Sequence, residues 1–277
     1  MRIAITGASG QLGSALQAVF GTQHEIIALS HAELELGSPA CIEQLVASKA
    51  ELVIHPAAFT NVDGGAREPH KAYRINGLGT RYVALACRKL GAPLVYISTN
   101  EVFDGTGSRP YYEYDQTNPV NAYGWSKWVG EQAVRELLGQ YYIVRVAWLY
   151  GGKHNFIRTI LRLAKERPSL SVVSDELGSP TYAPDAAQAV AQLIETSCYG
   201  TYHIVNEGSC SRYELAAETL RLAGYADFSL EPIKLADYKR DSRVPAYTPL
   251  YNIAAADLGI SLRPWQEALM EMLNAEL

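Results

Sequence analysis

The chain has no excess of positive charge, few cysteines and no long apolar run, and each scarcity removes a class of function. Its 24 Lys and Arg against 29 Asp and Glu leave a net charge of −5. That balance offers no electrostatic footprint for nucleic acid or an anionic membrane, so any anion site must be local. The longest candidate apolar run, residues 141–150, contains Arg145 and falls far short of the roughly 20 residues a membrane span requires. Residues 1–6 already read as strand and meet a glycine-rich turn at once, so no signal-peptide apolar region is expected. Cys41, Cys87, Cys198 and Cys210 form no Cys-x-x-Cys pair and have no histidine at zinc spacing, which favours buried free thiols in a reducing cytoplasm. No metal is expected. Repeats and low-complexity segments are also missing.

What is present is a core-forming composition, 48% hydrophobic and 19% charged over 277 residues. This suits one large α/β domain, or a domain with a smaller lobe. Short β-rich runs recur at 2–6, 25–29, 52–55, 94–98 and 142–147, and helix-length stretches lie between them at 11–20, 39–48, 70–90 and 121–138. Strand followed by helix, repeated, predicts a parallel sheet covered on both faces. Beyond Gly151 the rhythm loosens into helices at 156–166, 184–196, 212–223 and 265–273 with strands at 171–173 and 202–205. A first domain over 1–150, rejoined by about 183–206, and a smaller lobe from 151–182 and 207–277 are expected.

The first turn runs Thr6-Gly7-Ala8-Ser9-Gly10-Gln11-Leu12-Gly13. Glycines there allow a tight turn and close approach of a pyrophosphate to the backbone, with the following helix N-terminus facing the phosphates. The spacing Gly-x-x-Gly-x-x-Gly differs from the usual Gly-x-Gly-x-x-Gly. Gly7, Gly10, Gln11 and Leu12 are the candidate phosphate contacts. An acidic residue closing the second strand would hold the ribose 2′-hydroxyl of NAD, but that strand ends Leu29-Ser30-His31. Ser30 and His31 either receive a 2′-phosphate, which favours NADP(H) over a still possible NAD(H), or form a solvated turn. Glu35 and Leu36 either border the adenine or close a short strand.

The third strand ends in Pro56-Ala57-Ala58-Phe59-Thr60, small residues against which a flat ligand can lie at the carboxyl end of the sheet. Pro56, Ala57, Ala58 and Thr60 are candidate cofactor contacts. Asn76-Gly77 falls inside a predicted helix, where both residues are unfavourable, so Asn76 is a weaker candidate.

Tyr123 and Lys127 lie four apart in a predicted helix and share one face. With 18 tyrosines and 8 lysines, about half of one Tyr-x-x-x-Lys match is expected by chance, so order and context must carry the inference. A phenol with a pKa near 10 is a poor acid or base at neutral pH. An ammonium about 6 Å away at an effective dielectric of about 20 is worth about 3 kcal/mol, which predicts a Tyr123 pKa lowered by roughly two units. Lys127 can also hold the nicotinamide ribose, and Thr99, closing the fourth strand, can align a substrate carbonyl by a hydroxyl hydrogen bond.

In these residues the chain resembles the extended short-chain dehydrogenase/reductases, and among them the dTDP-4-dehydrorhamnose reductases. The resemblance rests on the Thr6–Gly13 turn, Ala57-Ala58-x-Thr60-x-Val62-Asp63, Ser98-Thr99-x-x-Val102-Phe103-Asp104-Gly105 and Tyr123-Gly124-x-Ser126-Lys127-x-x-Gly130-Glu131. It continues through Trp148-x-Tyr150-Gly151, Asn155-Phe156, Gly178-x-Pro180-Thr181, Tyr202-His203 and Arg243-x-Pro245. It implies a Rossmann-type doubly wound α/β sheet with a smaller C-terminal substrate-binding lobe. The implied reaction is reduction of the 4-keto group of a nucleotide-linked 6-deoxy-4-keto sugar, as in dTDP-L-rhamnose biosynthesis. Tyr123 would protonate the alkoxide, Lys127 would hold the ribose and Thr99 would align the carbonyl. Asn100, Glu101, Phe103 and Trp148 would meet the sugar, with Trp148 equally a core candidate. Asn155 and Arg243 would meet the nucleotide, with Arg243 equally a surface residue. A monomer or homodimer is expected.

Departures from the family fall beside the reacting group. Where these reductases usually read Ser-Thr-Asp-Tyr, this chain has Asn100 and Glu101. Gly64-Gly65-Ala66 replaces the usual Lys-Ala-Glu. A glutamate that some members use for a magnesium-linked dimer corresponds to Ala15. An epimerase or dehydratase would keep the same Thr/Tyr/Lys set, and a non-catalytic regulatory subunit of the methionine adenosyltransferase accessory type would not need it.

Overall fold

The computed structural model describes residues 1–275. Strands β1 (Arg2–Thr6), β2 (Glu25–Leu29), β3 (Leu52–His55), β4 (Leu94–Thr99) and β5 (Tyr141–Val146) are followed by β6 (Leu149–Tyr150), β7 (Ser169–Val173), β8 (Leu177–Gly178), β9 (Thr181–Tyr182), β10 (Gly200–His203), β11 (Cys210–Ser211) and β12 (Ser229–Ile233). The helices are α1 (Gln11–Phe20), α2 (Cys41–Ala47), α3 (Val62–Arg67), α4 (Pro69–Ala72), α5 (Gly79–Leu90), α6 (Ala122–Leu137), α7 (Phe156–Glu166), α8 (Ala183–Glu195), α9 (Arg212–Leu222), α10 (Ile253–Asp257) and α11 (Trp265–Asn274).

Six strands form one sheet in the order β10-β5-β4-β3-β1-β2, with every pair parallel. A parallel sheet buries both faces, and the alternation of side chains shows it. Ile3, Ile5, Ile54, Val95, Ile97 and Val144 face α1 and α8, whereas Ala4, Val53, Leu94, Tyr96 and Ile143 face α2, α5 and α6. Small residues on α8, among them Ala183, Ala186, Ala187 and Val190, let it lie close to α1. Strand order reverses between β1 and β3, and a crevice opens there above the carboxyl ends of the strands.

The C-terminal elements include β7 paired with β12, on which α7 and α9 pack through Ile160, Ala164, Leu170, Val172, Ala216 and Leu220. Strand β12 is not expected from the sequence, because Pro232 and a polar pattern suit only an edge. Helix α3 is likewise unexpected, a short helix carrying Gly64 and Gly65 whose start is fixed by the Asn61 side chain accepting from Gly64 N at 2.7 Å. The single helix predicted over 70–90 is interrupted by a π-helical turn, Tyr73–Leu78, at Asn76-Gly77. Helix α6 starts at Ala122 with Asn121 as its cap, one residue inside the stretch predicted over 121–138.

A buried ion cluster joins α6 to three strands of the sheet. Glu131 is fully buried and Arg145 nearly so. Glu131 Oε1 accepts from Ser98 Oγ at 2.6 Å and from Arg145 Nε at 2.9 Å, and Oε2 accepts from Arg145 and Arg135 at 2.9 Å each. Arg145 also donates towards His203 Nε2 at 3.4 Å, reaching β10. Burial opposes ionisation of Glu131, yet Arg145, Arg135 and Ser98 outweigh it and hold the carboxyl down to about 2. Because this pKa is lower when folded, the stabilisation is present above the ordinary carboxylate range and is lost as pH falls towards about 2. Replacing Arg145 by Met leaves the Glu131 carboxylate buried beside a single, partly exposed Arg135. Such an uncompensated charge is expected to cost about 3–5 kcal/mol, and the double change Glu131→Gln/Arg145→Met should recover much of it. Urea unfolding of both variants at pH 7 measures this; equal losses would count against the pairing.

Candidate functional site

A cleft of about 750 Å³ lies across the carboxyl ends of the strands. At one end is the first turn. Gly7 has φ +58° and a Cβ there would lie 2.8 Å from Ala57 Cα, so only glycine lets this turn abut the loop after β3. Gly10 caps α1 without a side-chain hydrogen bond to the helix, which leaves the amides of its first turn facing the cleft. This cradle fits a pyrophosphate. Gln11 ties it to the loop after β6 by accepting from Gly152 N at 3.1 Å.

Gly7, Gly10, Gln11, Leu12, Ser30, His31, Glu35, Leu36, Pro56, Ala57, Ala58 and Thr60 all line this cleft, as do Thr99, Asn100, Glu101, Tyr123, Lys127 and Trp148. Behind Thr6, which lines the cleft, lies a buried chain of polar side chains. His55 Nδ1 lies 2.7 Å from Thr6 Oγ1, and Nε2 lies 3.2 Å from Thr80 Oγ1. Burial, assisted by Lys127, drives the His55 pKa down to about 3, so the ring stays uncharged.

Asn76 is buried beside the cleft without lining it. Its Oδ1 accepts from Phe59 N at 2.7 Å, while Nδ2 donates to Phe59 O at 3.0 Å and to Ser126 Oγ at 2.9 Å. It therefore joins the loop after β3 to the turn of α6 between Tyr123 and Lys127. The unfavourable Asn-Gly pair that drew notice in the sequence is explained by this bridge.

Tyr123 lies against Thr99, which hydrogen-bonds it. Lys127 Nζ donates to Ile97 O at 2.7 Å and lies 4.3 Å from the Tyr96 ring centroid. The expected lowering of the Tyr123 pKa is not what the structure shows. Burial, and then the nearby Glu101, raise it well above the ordinary phenol value, against the Thr99 hydrogen bond. Burial also pushes the Lys127 ammonium down to about 7, opposed by Glu131. Burying the phenol and the ammonium together costs more than their proximity returns.

Three residues do not reach the cleft as expected. Phe103 is fully buried and stacks on Tyr111 with ring centroids 4.3 Å apart, because its side of the short turn after β4 faces the core. Asn155 caps α7, accepting from Arg158 N at 2.9 Å and donating to Gly152 O at 2.9 Å. Arg243 borders a second cleft, with Arg240 and Ser242, and is exposed. Trp148 takes both of its alternatives: it lines the cleft and packs on the core beside Tyr150. Its φ of +41° is strained for a non-glycine residue.

Other groups were not singled out in the sequence. Arg212 stacks on Trp148 at 3.6 Å and lines the cleft; its signal is a basic residue at the first position of α9, where the helix dipole disfavours it. Lys71 and Arg74 line the cleft as well. Glu33 accepts from Ser30 N at 2.6 Å and so supplies a carboxylate four residues past the end of β2, although the strand itself does not end in one. Among the described residues, no group of three or more His, Cys, Asp or Glu is placed to hold a metal ion, and no helix is long and apolar enough to cross a membrane.

The family model described as the RmlD substrate binding domain matches residues 1–277. The spore coat polysaccharide biosynthesis protein SpsK of Bacillus subtilis is 38% identical over 276 residues, covering 99% of this chain and 97% of that protein. A dTDP-4-dehydrorhamnose reductase structure from Clostridium acetobutylicum matches with a TM-score of 0.96 and 37% identity, over 100% of this chain and 99% of that one. A dTDP-4-dehydrorhamnose reductase from Bacillus anthracis, solved in complex with NADP, matches with a TM-score of 0.94 and 38% identity, over 99% of each chain.

The bridge through Asn76 is open to a direct test. Asn76→Ala leaves Phe59 N–H without its acceptor, which is expected to cost about 1–3 kcal/mol and to weaken dinucleotide binding by loosening the Ala57-Ala58 wall. Thermal unfolding with a fluorescence titration of NADPH checks both, and wild-type affinity would show that the wall holds without Asn76.

Proposed function

The chain belongs to the RmlD substrate binding domain family, and from that footing we propose that it is a nicotinamide-dependent reductase of the extended short-chain type. Its substrate is a dTDP-linked 6-deoxy-4-keto hexose, and its reaction is reduction of the 4-keto group in deoxysugar (dTDP-L-rhamnose) biosynthesis. The observation that carries the reading is the meeting of Thr99 and Tyr123 above the buried Lys127, in one cleft with the glycine cradle. The protein works in the cytoplasm as a monomer or homodimer.

The turn Gly7–Leu12 would hold the pyrophosphate, Ala57 and Ala58 would flank the dinucleotide, and Lys127 would hold the nicotinamide ribose. When bound, the reduced nicotinamide supplies the hydride. Thr99 and Tyr123 orient the ketone oxygen. Tyr123, kept as a neutral phenol by its raised pKa, has a proton to give at neutral pH. A sugar alkoxide is much more basic than a phenolate, so the transfer is downhill. The elevated pKa thus suits the reductive direction, in which the resting residue must be protonated. Arg212, stacked on Trp148, offers a cation near the reacting end, where an arginine can pair with the diphosphate.

Ser30 and His31 favour NADPH, and NADH is also accepted because Glu33 sets a carboxylate against the Ser30 amide. Glu33→Ala removes a charge that repels a 2′-phosphate. It is expected to raise the NADPH-to-NADH ratio of kcat/KM by about threefold, the scale of an exposed charge; a ratio that stays or falls would assign the choice elsewhere. Tyr123→Phe is expected to lower kcat by about 10²–10⁴-fold with dTDP-4-keto-6-deoxy sugars while cofactor affinity is kept. An unchanged rate in the NADPH-oxidation assay would remove Tyr123 from the mechanism.

A further inference from the structure

Glu101 stands on the 3-10 turn Asn100–Val102 directly after Thr99, and it lines the cleft with Thr99, Tyr123, Trp148 and Arg212. Its position is fixed from two sides. A Cβ on Gly124 would lie 2.1 Å from Glu101 O, so the main chain of Glu101 presses on the helix turn that carries Tyr123. Oε2 accepts from Asn121 Nδ2 at 2.6 Å. Among the described residues Oε1 has no hydrogen-bond partner, and it is not sealed in the interior. One carboxylate oxygen therefore remains free at the reacting end.

The charged and titratable groups facing it are Glu176, Arg240 and Arg212, with the Tyr123 phenol on α6. Burial and then Glu176 push its pKa up to about 7, against Asn121 and the two arginines. Both protonation states are accessible at neutral pH, as an acid-base group requires.

A ketone acidifies the C–H bonds on the carbons beside it, and the proposed substrate presents such a ketone to Thr99 and Tyr123. We propose that Glu101 is an acid-base residue that removes and returns a proton at a carbon next to the keto group, so that the site enolises its substrate as well as reducing it. In the forward step the C–H bond breaks and its proton goes to Glu101 Oε1. The C–H electron pair becomes the enol double bond, and the ketone oxygen takes the Tyr123 proton. The reverse step returns the proton to Tyr123 and a solvent-exchanged one from Glu101 to the carbon, without change of oxidation state. This inference rests on the 4-keto-sugar reading given above.

The test uses full-length enzyme saturated with NADP⁺, which cannot reduce the ketone, and a dTDP-4-keto-6-deoxy sugar in D₂O. Proton NMR follows loss of the signals flanking the keto carbon. Wild-type enzyme is expected to exchange hydrogen above the protein-free rate, and increasingly so as pH rises through about 7 and the carboxyl becomes a base. Glu101→Gln should slow exchange by about 10²-fold or more, with sugar binding followed by titration. Glu101→Asp, which keeps the carboxyl, should retain measurable exchange. A Glu101 that only accepts a hydrogen bond from a sugar hydroxyl would shift KM and leave no exchange to lose. The proposal is overturned if wild-type enzyme that reduces the sugar with NADPH shows no exchange, or if exchange persists in Glu101→Gln. If wild-type enzyme reduces no 4-keto sugar with NADPH or NADH, the substrate reading itself fails and the enolisation falls with it.

Discussion

The site depends on burying one face of helix α6 against β4, a face that carries the half-buried Tyr123 and the buried Lys127 and Glu131 at successive four-residue steps. Ionisable groups resist burial, so the helix can lie there only where each is matched. Glu131 has Arg145, Arg135 and Ser98; Lys127 has the Ile97 carbonyl and the Tyr96 ring. Close approach also needs an absent side chain: a Cβ on Gly130 would lie 2.4 Å from the Tyr96 hydroxyl. Moving up the face from the fully paired Glu131 to the cleft, the groups become less satisfied by protein. Lys127 and Tyr123 thus keep capacity for a ligand.

The chain's net negative charge does not describe its cleft. On the proposed reading, phosphate recognition would fall to backbone amides at the start of α1, with Lys71 and Arg74 along the wall. Arg212 serves the opposite end, and Glu101 sits beside it with Glu176 and Arg240 close by. Backbone and local cations suffice for an anionic ligand in an acidic protein because field lines in a partly enclosed cleft are set by near groups rather than by the sum over the surface.

Much of this was legible because it depends on local pattern. The strand-helix alternation, the glycine turn and the Thr99, Tyr123, Lys127 set all follow from periodicity and spacing. What escaped depends on tertiary packing. The short helix α3 holds together around Asn61 and the packing of Gly64 and Gly65, against its propensities. Strand β12 exists because β7 offers an edge. Phe103 and Asn155 sit within family motifs, but a motif does not tell which face of a turn meets the core or whether an amide is consumed in a cap. The direction of the Tyr123 shift was missed for a related reason, since desolvation belongs to the folded environment and cannot be read from the distance between two residues on a helix.

Asn100 and Glu101, the departures beside Thr99, turn out to have different roles. An amide at position 100 can accept from Thr99 Oγ1 at 3.2 Å and donate to Thr248 Oγ1 at 2.7 Å, tying Thr99 to the segment that follows Arg243. A carboxylate could only accept, so Thr248 would have to reverse its hydroxyl to keep that contact. Asn100 is thus largely occupied by the protein. Glu101 is not: one oxygen is bound by Asn121 and the other stays available in the cleft. A carboxyl in place of an aromatic at that position offers a proton acceptor where a stacking surface would otherwise stand. On the proposed acid-base reading, a divergence of substrate or chemistry from the wider family would fall on Glu101 rather than on its neighbour.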